Sequence, residues 1–221
     1  MISSALGDWR FIRRHGVCEV ISPTGVIVSA SASAAGGGLV GADTLGLPDA
    51  PAPAGMQAHT MRLRFRSNGF FNDEPAAHFA LGLTGAWRKA DPDAASWNGL
   101  LAGRGIIIGN VSGAPNGCPR WPVVQVESFR TRGNALYFDS GSVILEDDIW
   151  YGLELTARLD GHIAYVLRDD AEQLLSQAHV VDDTRDVPSD LGGWWITHVF
   201  AGSSAHAEWS FDIADLHVAW R

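Results

Sequence analysis

The sequence has almost no cysteine. Cys18 and Cys118 are the only two in 221 residues, too few for a disulfide-dense scaffold and without the paired C-x-x-C spacing of a zinc site. Two readings of them stay open, thiols packed in the interior or one disulfide. Lysine is scarcer still. Of sixteen basic residues only Lys89 is lysine, so the other cations are planar guanidinium groups able to make bidentate contacts. Positive charge is also outnumbered, and the net charge of −9 excludes a general nucleic-acid binder, which needs clustered cations against phosphate. Apolar runs are short: no segment approaches the ~20 apolar residues of a membrane span. The opening MISSALGDWRFIRR lacks the ~7–15-residue apolar stretch of a secretory signal. The expectation is a soluble protein made in the cytosol without membrane insertion, reaching any extracellular place of action by another route, such as a virus particle. Long helical periodicity is missing too, which argues against a helical architecture.

What is present points to strands. Glycine (25) and proline (10) punctuate short elements, while nine Trp and nine Phe supply large apolar side chains. The length fits a single β domain over residues 1–221. The clearest element is Ile149 to Asp169, IWYGLELTARLDGHIAYVLRD. Leu153, Leu155, Ala157 and Leu159 alternate with polar residues, and Ile163, Tyr165 and Leu167 continue an apolar face beyond Asp160-Gly161. This Asp-Gly pair predicts a two-residue type I′ hairpin.

Trp9 to Arg14, Val17 to Ser22 and Gly25 to Ala30 read as short N-terminal strands, so residues 1–30 are either outer strands of the sandwich or an anchoring arm. Residues 31–58 are dominated by Ala, Gly, Ser and Pro and read as a surface loop or linker. Further strands are expected at His59 to Ser67, His78 to Thr84, Leu100 to Asn110, Trp121 to Arg130, Gln173 to Val181 and Trp194 to Phe200, with a strand pair across Leu136 to Leu145. In Glu208 to Trp220, Phe211 and Ile213 keep one phase while Leu216, Val218 and Trp220 keep the other. A β-bulge near Ala214-Asp215 would bring both sets to the core.

Several stretches carry candidate chemistry. In HTMRLRFRS, Arg62, Arg64 and Arg66 line one face: either a solvated face with carboxylate partners or a cationic strip for an anionic or hydroxyl-rich ligand. In HFALGLT the outward residues His78, Ala80 and Gly82 shrink along the strand, leaving room for a ligand against the sheet. Gln125 and Glu127 share one face, and Trp195 is a candidate stacking platform. Asp91 and Asp93 are candidate calcium ligands, but two local carboxylates fall well short of the six to eight oxygens calcium takes, so no cofactor is expected. No G-x-S-x-G elbow, H-E-x-x-H helix or phosphate loop occurs.

The hairpin pattern W-Y-x-L-E-L-x-x-x-x-D-G-x-I-x-Y and the closing strand W-S-F-D-I-A-D-L-H-V-A-W resemble the concanavalin A-like lectin/glucanase superfamily, laminin G-like domains included, over roughly Thr60 to Arg221. The resemblance implies an all-β, two-sheet antiparallel jelly-roll sandwich. It also implies glycan binding on the concave sheet or its rim, catalysis in some members, and adhesive roles on viral tail or capsid fibres in others. The glucanase pattern E-x-D-x-x-E is absent, as are the R-x-E-L and Q-I-H strands of lyases, although Gln125-Val126-Glu127 loosely resembles the latter with Glu127 in place of His. The leading expectation is therefore a non-catalytic carbohydrate-binding or adhesive module on a phage virion surface. Its ligand would be a glycan or polysaccharide held by Arg62, Arg64, Arg66, Gln125, Glu127 and Trp195. The alternatives are a polysaccharide hydrolase or lyase with Glu127 as catalytic candidate, and a structural virion component contacting other subunits or assembling as a homo-oligomer. The working surface is expected on the sheet built from HTMRLRFRS, HFALGLT, WPVVQVESF and WWITHVF, opposite the hairpin sheet.

Overall fold

The computed structural model describes residues 2–14, 17–21, 39–47, 54–69, 71, 78–83, 103–110, 122–129, 135–139, 143, 145–182, 194–201 and 209–221. Thirteen strands are described: β1 (Ile2–Arg14), β2 (Val17–Ile21), β3 (Leu39–Leu47), β4 (Ala58–Asn68), β5 (His78–Leu83), β6 (Gly103–Asn110), β7 (Pro122–Phe129), β8 (Ala135–Asp139), β9 (Tyr151–Arg158), β10 (His162–Arg168), β11 (Leu174–Val181), β12 (Trp194–Ala201) and β13 (Trp209–Trp220). They form a seven-stranded sheet, β11-β10-β9-β4-β13-β1-β2, and a six-stranded sheet, β3-β12-β5-β6-β7-β8. Every described pairing is antiparallel.

Alternation decides what lies between the sheets. Met61, Leu63 and Phe65 of β4, Leu153 and Leu155 of β9, and Ile163, Tyr165 and Leu167 of β10 meet Leu81, Ile106, Ile108, Val124, Val126 and Ile196 of the other sheet in one apolar cluster. Phe65 is fully buried, stacked on Phe211 and tilted against Tyr151, each with ring centroids 5.4 Å apart. Burying one such side chain contributes about 1.5–3 kcal/mol. The expected bulge is present: between Ala214 and His217 the β13–β4 register slips by one residue, and Asp215 takes φ +54°. Both apolar phases of β13, Phe211 and Ile213 and then Leu216, Val218 and Trp220, are consequently buried.

Four expectations are corrected or bounded. The segment 31–58 contains β3, which pairs with β12 from Leu39↔Ala201 to Leu47↔Trp194, so it is not a loop throughout. Partner geometry rather than composition makes this glycine-rich stretch a strand. The N-terminal strands join the seven-stranded sheet through the β1–β13 and β1–β2 pairings, while Gly25 to Ala30 lies outside the described residues. Of the Leu136 to Leu145 pair only β8 is seen among the described residues. Leu145 is instead a buried plug beside a turn in which Asp147 accepts hydrogen bonds from Ser67 Oγ and Phe71 N.

The hairpin turn is also tighter in logic than the Asp-Gly pair suggested. The β9–β10 ladder runs up to Ala157↔Ile163, and between β9 and β10 lie Leu159-Asp160-Gly161, in which Gly161 N donates to Arg158 O (3.1 Å). Only Gly161 has positive φ (+99°), so this is a type I turn closed by a glycine bulge rather than type I′. Gly161 O also accepts from Asp182 N (2.9 Å), and a Cβ at Gly161 would stand 2.1 Å from Asp182 O. Gly161→Ala is therefore expected to destabilise the protein by about 2 kcal/mol, measured as a lower urea midpoint, whereas Asp160→Asn leaves it nearly unchanged.

Candidate functional site

The candidate residues separate onto two sheets. β4 has β13 on one edge and β9 on the other, so Arg62, Arg64 and Arg66 share a sheet with the hairpin. Gln125 and Glu127 on β7 and Trp195 on β12 belong to the six-stranded sheet. The single working surface expected from HTMRLRFRS, HFALGLT, WPVVQVESF and WWITHVF is thus overturned. Alternation marks which face of a strand is outward but carries no information about which sheet the strand joins.

On the outer face of the seven-stranded sheet each arginine has a carboxylate partner. Arg62 pairs with Glu154 (2.7 Å), Arg64 with Asp170 (2.6 Å) and Arg66 with Asp212 (2.9 Å). Arg64 and Arg66 also lie over the ring of Trp150, at 5.1 and 4.8 Å from its centroid. Asp212 receives Arg10 as well, which ties β1, β13 and β4 into one cross-strand triad. Burial alone would raise the Asp212 pKa, but hydrogen bonds from Arg10 and Arg66 outweigh it and hold the carboxylate below its ordinary range. Arg62, Arg64, Gly152, Glu154, Arg168 and His217 help line a depression of about 560 Å³. At Gly152 nothing stands within 4 Å of where a Cβ would be. The exposed Arg62–Glu154 and Arg64–Asp170 pairs are worth only about 0–1 kcal/mol each, so a polar ligand entering the depression meets a modest cost in exchanging them.

The outer face of the six-stranded sheet is organised differently. Leu81, Ile106, Val126 and Ile196 face the core, so alternation places the intervening positions outward. Register aligns Trp195, Gly82, Gly105 and Glu127 in one row across β12, β5, β6 and β7. The next row aligns Thr197, Ala80, Ile107, Gln125 and Asp139, in which Ile107 is buried at 4% exposure. With strands about 4.8 Å apart, positions 195 and 127 stand about 14 Å apart across two glycines. Gly105 is dictated by close approach, since a Cβ there would meet Leu81 O at 1.9 Å. The narrowing His78-Ala80-Gly82 series lies along β5 alone. Its continuation into Gly105 depends on cross-strand register, which a single strand does not reveal.

Asp91 and Asp93 lie outside the described residues, as do Trp87, Trp97 and Cys118. Among the described residues no group of three or more His, Cys, Asp or Glu side chains converges as a metal site. No described helix is long and apolar enough to cross a membrane.

Two antiparallel sheets in this order around one core define the class: the chain is a jelly-roll sandwich of the concanavalin A-like lectin fold. Its similarities to solved structures are to the same fold. It is similar to the Ca2+/Man-bound exoplasmic/lumenal domain of VIP36 with a TM-score of 0.57 and 10% identity, covering 87% of this chain and 82% of that one. The Lotus tetragonolobus seed lectin aligns with a TM-score of 0.55 and 8% identity over 100% of this chain and 92% of the lectin. The CBM2 module of Lactobacillus casei BL23 phage J-1 evolved Dit aligns with a TM-score of 0.54 and 13% identity over 90% and 78%. At these identities the likeness is one of fold. No family model and no curated protein matches the sequence.

Proposed function

We propose that this protein is a non-catalytic carbohydrate-binding module that holds a glycan against the outer face of its six-stranded sheet. The observation that carries the reading is the cross-strand register that sets Trp195, Gly82, Gly105 and Glu127 in one row. An indole offers a face for the C–H surface of a pyranose, two glycines let the ring approach the backbone, and Gln125 and Glu127 supply acceptors for hydroxyl groups. The fold supports the same reading, because its structural neighbours include a mannose-bound VIP36 domain and the lectin UEA-II complexed with galactose. The neighbour from a phage Dit protein supports a place on a virion surface. A glycan array is expected to identify a ligand, with Trp195→Ala weakening its binding by about tenfold and Gln125→Ala by less. Absence of binding to any glycan, or equal binding by Trp195→Ala, would remove this site.

One observation favours a second reading, a polysaccharide hydrolase or lyase. Asp139 pairs with Gln125, which sets it one diagonal step from Glu127 across a register shift in the β7–β8 ladder. Such diagonal positions stand about 7–8 Å apart, within the span that two carboxylates need across a glycosidic bond. Turnover of a polysaccharide panel, abolished in Glu127→Gln, would move the assignment from binding to catalysis.

A further inference from the structure

Two histidines meet near one edge of the seven-stranded sheet, where β10 pairs with β11. His162 Nδ1 stands 2.9 Å from His179 Nε2. The ring centroids are 5.1 Å apart with 21° between planes, so these two nitrogens are the facing corners of the rings. Register explains the approach. Ala164 lies opposite His179, and its small side chain leaves room over β10 for the His179 ring to reach His162, one diagonal step away. Both histidines belong to the face turned from the core: Ile163 and Tyr165 are buried, whereas His162 is half-buried and His179 exposed.

The separation of the two nitrogens carries chemical information. Imidazole nitrogens bound to one ion at about 2.0–2.1 Å each, while 2.9 Å from one another, subtend about 90° at it. That is the cis angle of square-planar and octahedral ions, whereas a tetrahedral ion holds its ligands about 3.3–3.4 Å apart. As the rings stand, one donates a hydrogen bond to the other across this contact. A neutral imidazole carries its proton on either nitrogen, so a change of tautomer moves the shared proton to the outer nitrogen of the donating ring. A turn of each ring then aims both facing lone pairs at one point beside the contact, with no change of charge. Asp160, the carboxylate at the hairpin turn, is held by Arg158 (2.8 Å), so water fills the remaining positions around the ion.

We infer that His162 and His179 form a two-histidine site for a divalent transition metal of square-planar or octahedral preference, copper(II) or nickel(II), on the sheet opposite the proposed glycan row. The two ligands lie 17 residues apart in sequence, outside the spacing of any local metal motif. The ion bridges β10 and β11. Among the described strands β11 pairs only with β10, so the bridge fastens an edge strand to the hairpin. Because the two rings are brought together only in the folded chain, the metal also stabilises the fold by mass action. At a free metal concentration of about 100 times Kd the folding equilibrium shifts about 100-fold.

Isothermal titration of the full chain without an affinity tag, with copper(II), nickel(II) and zinc chloride as the probes, tests this. The first equivalent of copper or nickel should bind at the pair, and more tightly than zinc. His162→Gln and His179→Gln should each weaken that binding by about tenfold or more while circular dichroism stays unchanged. Electron paramagnetic resonance of the copper-loaded protein should show two equatorial imidazole nitrogens in the wild type and one in each variant. Nickel should raise the urea midpoint of the wild type and leave that of either variant nearly where it was. A chain that binds neither copper nor nickel overturns the inference. So does undiminished binding by both variants, tighter binding of zinc than of nickel, or a copper spectrum unchanged between wild type and variants.

Discussion

Arg104→Ala is expected to destabilise the protein by about 3–5 kcal/mol, the largest loss of any single substitution considered, because it breaks a buried ion pair by removing its guanidinium. Arg104 sits on β6 with its side chain in the core phase, between Leu83 and Ser128 by register. Its Nε donates to Asp182 Oδ2 (3.1 Å), and its Nη1 reaches Arg158 O at 3.5 Å. Side-chain exposure is 3% for Arg104 and 0% for Asp182, so water relieves neither charge. The pair joins the six-stranded sheet to the far end of the hairpin sheet. Asp182→Ala should cost about as much as Arg104→Ala. The double replacement Arg104→Met with Asp182→Leu should recover most of the loss, since an apolar pair of similar volume needs no desolvated charges. Urea unfolding of all four proteins, with m-values compared, measures the cycle. If the two single losses simply add in a double alanine variant, the pair is not coupled.

A second large effect is set by pH. His59 lies on the core face of β4, 1% exposed and stacked on Trp220 with ring centroids 4.2 Å apart and 7° between planes. Neither ring nitrogen has a hydrogen-bond partner among the described residues. Burial disfavours the imidazolium and holds the His59 pKa down to about 4, from an ordinary 6.5. The folded group binds its proton later than the unfolded one, so the full stability is present above pH 6.5 and is lost as pH falls from about 6.5 to about 4. The loss amounts to about 3 kcal/mol. Comparing unfolding free energies at pH 7.5 and pH 4.5 should show this drop in the wild type and a smaller one in His59→Leu. Asp212, held low by Arg10 and Arg66, titrates below that window and affects both proteins alike. An identical drop in His59→Leu would assign the acid sensitivity elsewhere. At pH 7.5 the substitution should be neutral or stabilising, because it removes two unsatisfied polar atoms from the interior.

Much of the sandwich was readable from alternation. The phases of β4, β9 and β10 and the parity change at Ala214-Asp215 came directly from which residues were apolar. β3 was not readable, because LVGADTLGL owes its strand conformation to β12 beside it rather than to its own residues. The Asp160-Gly161 turn misled by one position, since the Gly161 N to Arg158 O hydrogen bond and the positive φ at Gly161 alone define a longer connection than the dipeptide implies. For the candidate surface, individual strands indicated outward residues such as Gln125 and Glu127. Only pairing between distant strands shows that Trp195 shares their face and that Arg62, Arg64 and Arg66 do not. The same holds for the carboxylates that neutralise the arginines: Glu154, Asp170 and Asp212 lie roughly 90 to 150 residues away in sequence.

The place of β13 has a consequence for how the chain reaches this state. It is inserted between β4 and β1, with Ile2 opposite Trp220. During synthesis the first strand therefore waits for a partner more than two hundred residues away, and the centre of the larger sheet stays open until the last strand arrives. Contacts so distant in sequence make folding slow and leave β1 and β4 with unpaired edges in the interim. For this architecture the most dangerous moment is not unfolding but the interval before the final strand closes the sheet.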